Sequence, residues 1–157
     1  MIPPVPLGMR VTGKVERMAD PTMETTLLRD TCAWLDAFTA PELLKPSVRK
    51  LLAGEERVYV SAISLIEVAR KEAKGELVFE MPLAKWFQLA LPVKRIRVLE
   101  ITPEIAIDAT RLPGWEHMDP GDQIVVATAR MHGFKVLTSD AKILKYRRVA
   151  SISSRKS

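Results

Sequence analysis

Between residues 119 and 138 the sequence reads DPGDQIVVATARMHGFKVLT, a helix with both ends marked and an almost unbroken apolar strand behind it. Asp119 is placed to cap the free N–H groups of the first turn. Pro120 takes the first helical position, where its missing N–H costs nothing, and Gly133 stops the helix. A strand without polar alternation must be covered on both faces. A helix that returns the chain to the starting edge of such a strand belongs to a parallel sheet.

The unit recurs upstream. TTLLRD reads as a first strand, followed by a helix from about Ala33 and, past the break at Pro41, by another around residues 47–52. RVYVSA is β-branched and aromatic, and leads into the helix SLIEVARKEAKG, which stops at Gly75. MPLAKWFQLAL is helical up to Pro92, IRVLEIT is a strand, Thr102 caps a helix opened by Pro103, and VASI adds a last strand. The alternation predicts an α/β fold: a single domain with a central, mostly parallel sheet and helices on both faces. At 157 residues the chain is long enough for one such domain with its own core. Residues 1–22 carry three prolines in the first six positions and no helical or strand period, so they are expected to form a loose extension. The domain is expected over residues 23–152, with a basic tail at 153–157. A chain beginning at Met23 should match the whole in stability.

Charge is unevenly spread. Residues 1–140 hold 18 Lys/Arg against 19 Asp/Glu, whereas residues 141–157 hold six Lys/Arg and no acid. A basic block of this kind suits a polyanion such as nucleic acid, and a solvated basic tail accounts for it equally well. Lys142, Lys145, Arg147 and Arg148 are its candidate nucleic-acid contacts. Cys32 is the only cysteine, so no internal disulfide forms, and with His117 and His132 it gives no zinc framework. No apolar run approaches the ~20 residues that span a bilayer, and the start lacks a secretory pattern, so the expected location is cytoplasmic and no membrane partner is expected. Neither GxGxxG nor GxxxxGK[ST] occurs, which argues against nucleotide-binding enzymes.

Ligands of open α/β sheets bind beyond the carboxyl ends of the strands. Four acids are expected there. Asp30 closes the first strand, Glu67 lies in the helix after the second, Asp122 in the first turn of the helix feeding KVLT, and Asp140 just beyond that strand. Carboxylates gathered at one edge repel one another unless a divalent cation keeps them ionised. Hard oxygen ligands suit Mg²⁺ or Mn²⁺, which can activate water against a phosphodiester. Each acid also has a plainer use. Glu67 stands four residues before Lys71, Asp122 complements a helix dipole, and Asp140 can cap AKILKY. Asp30 is the hardest to explain away, being early for a cap to a helix starting near Ala33.

The blocks LLRDTCAWL, VSAISLIEVARKEAKGEL, IRVLEITPEIAIDATRLPG, HMDPGDQIVVATARMHGFKVLTSD and AKILKY resemble, in order, those of the PIN-domain family, specifically the VapC-type toxin ribonucleases. The resemblance spans residues 25 to 152. It implies that Asp30, Glu67, Asp122 and Asp140 are catalytic metal ligands, with Thr31, Thr138 and Asp119 in auxiliary positions. It further implies Mg²⁺- or Mn²⁺-dependent endonucleolytic cleavage of RNA, a homodimer, and a cognate antitoxin protein that inserts a C-terminal segment into the site. Two positions depart from the pattern. Arg29 stands where an apolar residue is usual, leaving either a pairing with the acids or a frayed, shifted strand. Cys32 stands where His or Asn is common.

The alternatives are a PIN nuclease of RNA processing without an antitoxin, a catalytically silent RNA-binding module, or a receiver-like signalling domain. Trp34, Trp86 and Trp115 are expected in the core or an interface, His117 on a surface loop, and Cys32 as a buried small residue.

Overall fold

The computed structural model describes residues 26–54, 58–93, 96–115 and 119–157. The extension at 1–22, the domain start at Met23 and His117 lie outside the described residues. Strand β1 (Leu27–Arg29) runs into helix α1 (Thr31–Thr39), and a single 3-10 turn (Pro41–Leu43) leads to α2 (Pro46–Gly54). Strand β2 (Val58–Ser61) feeds α3 (Ala62–Ala73), which is followed by α4 (Leu83–Val93). Then come β3 (Ile96–Leu99), α5 (Pro103–Ala109), α6 (Pro120–His132), β4 (Lys135–Thr138), α7 (Ala141–Lys145) and β5 (Ser151–Ser153).

The five strands form one sheet in the order β3-β2-β1-β4-β5, with every pair parallel. Receiver domains are wound in the order 2-1-3-4-5, so the receiver-like alternative falls. β1 is the central strand. Its residue Leu28 lies level with Val136 of β4 and packs with Val125, Val126 and Ala129 of α6 and Ile143 of α7. On the opposite face Leu27 and Leu137 pack against Ala33, Leu44 and Val48, while Val60 meets Trp34, Val68 and the aromatic side of α4 around Trp86. The alternation of sheet faces thus places α1, α2 and α4 on one side and α6 and α7 on the other. α3 touches both α1 and α6, and α5 packs on α6 through Ile105, Ala109 and Ala127.

Several local expectations are corrected. The first helix starts at Thr31 rather than Ala33, because the Asp30 carboxylate accepts the Ala33 N–H at 2.7 Å and so closes the first turn two residues earlier. Pro92 does not end α4, which continues to Val93, since a proline in a last turn removes only a terminal bond. Arg29 neither frays nor shifts its strand: it is buried in the middle of the sheet, level with Val60 and Leu137. Trp34 and Trp115 are buried and Trp86 packs among Trp34, Phe38, Phe79 and Phe87, as core residues should. The cap of α5 by Thr102 and the termini of α6, with Asp119 at one end and Gly133 at φ 69° at the other, match the sequence reading.

The basic end of the chain is tied down. Ser154 N–H donates to the Thr138 carbonyl, Lys45 N–H to the Ser154 carbonyl, and Lys156 N–H to the Leu43 carbonyl. Arg155 clasps Asp36 of α1 in two parallel bonds of 2.7 and 2.9 Å, and the Asp36 side chain is only 7% exposed. Arg155→Ala leaves that carboxylate buried without its cation, a loss of about 2 kcal/mol given the half-open guanidinium. The melting temperature should drop by about 4–8 °C. Adding Asp36→Asn should recover part of it; an unchanged melting curve for Arg155→Ala would show the clasp to be idle.

Candidate functional site

Parallel strands bring their carboxyl ends to one edge, and the acids follow from where each chain segment leaves that edge. Asp30 is the first residue after β1, and Asp140 the second after β4. Glu67 sits in the second turn of α3, and Asp122 in the first turn of α6, whose entry is fixed by the Asp119 side chain accepting the Gly121 N–H at 2.7 Å. Asp30, Thr31, Cys32, Glu67, Asp122 and Asp140 together line one cleft of about 380 Å³.

Two threonine hydroxyls organise the acids. Thr138 Oγ1 accepts the Asp140 N–H at 2.9 Å, which turns its own hydrogen toward Asp30 Oδ2. Its other oxygen, Oδ1, holds the Ala33 N–H, so the Asp30 carboxylate is fixed at both ends. Thr31 Oγ1 donates to Glu67 Oε2 and stands 2.9 Å from the Ser64 hydroxyl. The plain reading of Glu67 as partner to Lys71 is therefore replaced: Lys71 meets Glu76 instead, at 3.5 Å. Asp140 does cap α7, accepting the Lys142 and Ile143 N–H groups through Oδ1, while still facing the cleft.

Burial and crowding make Asp30 and Asp122 hard to ionise. Asp30 is 6% exposed, and its pKa is pushed up to about 6, chiefly by desolvation; the Thr138 and Ala33 hydrogen bonds oppose this, and the charges of Asp140 and Glu67 add to it. Asp122 rises to about 7, again first by desolvation and then through Asp140, Asp119, Glu67 and Asp30. Among the described residues no three histidine, cysteine or acidic groups converge tightly enough to enclose an ion by themselves. The donor set is nonetheless all hard oxygen, and its surplus negative charge is what a divalent cation would relieve. This suits an ion that keeps part of its water shell, as Mg²⁺ and Mn²⁺ do.

Cys32 is exposed at the cleft, not buried as expected, because α1 begins early enough to turn its second residue outward. Desolvation, then the Asp30 charge, hold its thiol above the usual range, so it is a poor nucleophile there. Two contributors escaped the sequence reading. Ser64 lies one helical turn before Glu67 and shares its face. Gly121 is the second residue of a helix, a place where glycine is costly without a reason. The reason is contact: a Cβ there would overlap the Glu67 carboxylate and come within 2.9 Å of Asp119 Oδ1. Of the four basic side chains expected to bind RNA, Lys142 and Lys145 are exposed on α7 beside Asp140. Arg147 and Arg148 are also exposed, but Arg148 lines a different hollow together with Arg130.

The family model described as "PIN domain" matches residues 27–149. The chain is 29% identical over 125 residues to Ribonuclease VapC22 of Mycobacterium tuberculosis, an alignment covering 78% of this chain and 93% of that protein. Among solved structures it resembles a toxin-antitoxin complex from Klebsiella pneumoniae, with TM-score 0.60, 20% identity, and coverage of 82% of this chain and 97% of the other. It also resembles VapBC2 from Rickettsia felis bound to a promoter DNA fragment, with TM-score 0.62, 14% identity, and coverage of 81% and 98%. A third likeness is FitAcB from Neisseria gonorrhoeae, with TM-score 0.59, 22% identity, and coverage of 82% and 97%.

Proposed function

The chain belongs to the PIN domain family, and from that premise we propose that it is a metal-dependent endoribonuclease and the toxin of a toxin–antitoxin pair. The observation that carries the reading is the single cleft lined by Asp30, Glu67, Asp122 and Asp140, with two of these acids oriented by threonine hydroxyls. Asp30, Glu67, Asp122 and Asp140 would hold Mg²⁺ or Mn²⁺, directly or through water. A bound ion of this kind supplies an activated water and neutralises charge developing on the phosphate. The chain's own part is positional. Thr138 keeps Asp30 in one rotamer, Thr31 does the same for Glu67, and Gly121 leaves room for the Glu67 carboxylate against the start of α6. Asp119 fixes the direction of that helix and so the place of Asp122.

The antitoxin reading is supported by the likeness to the toxin-antitoxin complex from Klebsiella pneumoniae. An acidic cleft of this kind suits a cationic side chain of such a partner, which would compete with the metal. We extend the reading to a homodimer acting in the cytoplasm, in keeping with the lack, among the described residues, of any helix long and apolar enough to cross a membrane.

The test is cleavage of RNA by the purified chain in Mn²⁺, abolished by a chelator. Expression should arrest growth, and a small reading frame immediately upstream of the gene, if it encodes the antitoxin, should relieve that arrest. Gly121→Ala should cut cleavage by at least about 10-fold, since it displaces Glu67, with little change in helix content. No cleavage of any RNA with either ion would overturn the nuclease reading. Cleavage without growth relief would favour an RNA-processing enzyme.

A further inference from the structure

The acid cleft has an electrostatic problem of its own. Among the described residues no lysine or arginine lines it, and a phosphate backbone approaching four carboxylates is repelled except where a cation sits. The cations that share a wall with it are on α3. Glu67, Arg70, Lys71 and Lys74 follow the spacing i, i+3, i+4, i+7 and so form one stripe along that helix. The stripe walls a second hollow of about 270 Å³, completed by Glu76, which Lys71 meets at 3.5 Å, and by Asp119 and Asp122. Glu67 and Asp122 belong to both hollows, so the wall that carries Arg70, Lys71 and Lys74 adjoins the acid cleft directly.

These cations are not consumed by the fold. The Lys71–Glu76 contact is 3.5 Å between half-exposed groups and adds little. Arg70 and Lys74 are exposed and form no ion pair among the described residues. Three like charges within two turns of one helix face repel each other, a cost that a bound polyanion removes. Lys142 sits on the other rim, next to the cleft residues Asp140 and Ala141. The α3 stripe and α7 therefore both border the acid cleft.

Resting on the nuclease reading above, we propose that Arg70, Lys71 and Lys74 of α3 hold the phosphate backbone of single-stranded RNA as it leaves the acid cleft. From the sequence alone the chain end is the expected source of positive charge, with Arg130, Lys135 and the helix ends as the alternative path. An acidic protein segment is the competing occupant of such a surface. RNA is favoured because the stripe continues into the site at which the phosphodiester would be cut.

The test uses the full chain with Asp30→Asn, so that RNA survives, and a labelled single-stranded RNA titrated at several salt concentrations. Arg70→Gln with Lys74→Gln keeps helix-forming side chains and removes two contacts. Affinity at low salt should fall about 10-fold, and the slope of log affinity against log salt should flatten by about 1.4, at 0.7 per phosphate contact. Glu at both positions should weaken binding further. With Asp30 restored, the Gln pair should raise KM for RNA and leave kcat nearly unchanged. Unaltered slope and affinity in a chain that cleaves RNA would overturn the stripe's role alone. Unaltered RNA binding with lost binding of a polyglutamate peptide would reassign the stripe to a protein partner. Stripe-dependent RNA binding in a wild-type chain that never cleaves would leave the stripe standing and overturn the nuclease reading.

Discussion

Asp30→Asn should lower RNA cleavage by more than about 100-fold while making the metal-free protein more stable at pH 8. The two effects share one cause. An asparagine keeps the shape: its amide oxygen can cap the Ala33 N–H, asparagine being as good a cap as aspartate, and its NH₂ can donate to Thr138 Oγ1. What disappears is a charge that the folded protein holds with difficulty. The pKa rise from 3.8 to about 6 corresponds to about 3 kcal/mol carried by the ionised form. The variant's melting temperature should therefore exceed wild type by several degrees at pH 8 without metal, and the gap should narrow to about half at pH 5 and close below about pH 4. Melting curves beside an RNA assay in Mn²⁺ decide it. Full activity would remove Asp30 from the site, and a large loss of stability would mean its charge is needed by the fold.

The gain arises where a sheet edge collects charge, and this is also where the sequence was most readable. Asp30 stood out as too early to cap a helix starting near Ala33, although it does cap α1 while lining the cleft, and Asp119, Pro120 and Gly133 marked α6 residue by residue. Local chemistry of this kind is written locally. What depends on contacts distant in the chain was not legible. Ser64 and Gly121 acquire their roles only once α3 lies between α1 and α6. Cys32 was misjudged because its exposure depends on a two-residue difference in where α1 starts. The Arg155 clasp joins residues 119 positions apart, and no periodicity announces it.

The second large effect is a pH dependence of stability that runs opposite to the usual acid unfolding. Asp30 and Asp122 hold their protons to about pH 6 and about pH 7 in the native protein, against 3.8 as ordinary carboxyls. Between pH ~4 and ~7 the native state therefore binds more protons than the unfolded chain, and stability falls as pH rises through that window. Asp30 alone contributes a fall of about 3 kcal/mol. Asp122 adds less than its shift implies, because it is partly open to solvent that screens its charge. Without metal the melting temperature should decline by several degrees from pH 5 to pH 8. Millimolar Mg²⁺ or Mn²⁺ should restore it at pH 8 and do little at pH 5, where protons already occupy the acids. A flat or rising profile in chelator would show that these carboxyls are not strained, and metal stabilisation equal at both pH values would place the ion elsewhere.

The hydroxyl that fixes Asp30 lies 108 residues further along the chain, on the strand that pairs with β1. On a translating ribosome Asp30 thus emerges long before the residue that holds it. The nascent chain carries its first acid without the hydroxyl of Thr138, without Asp122 and without the α6 surface that buries β1. Pairing so distant in sequence forms late and slowly. A cell making this protein is therefore spared an assembled nuclease until β4 has been synthesised and docked, and the interval gives a partner made alongside it the chance to be present first.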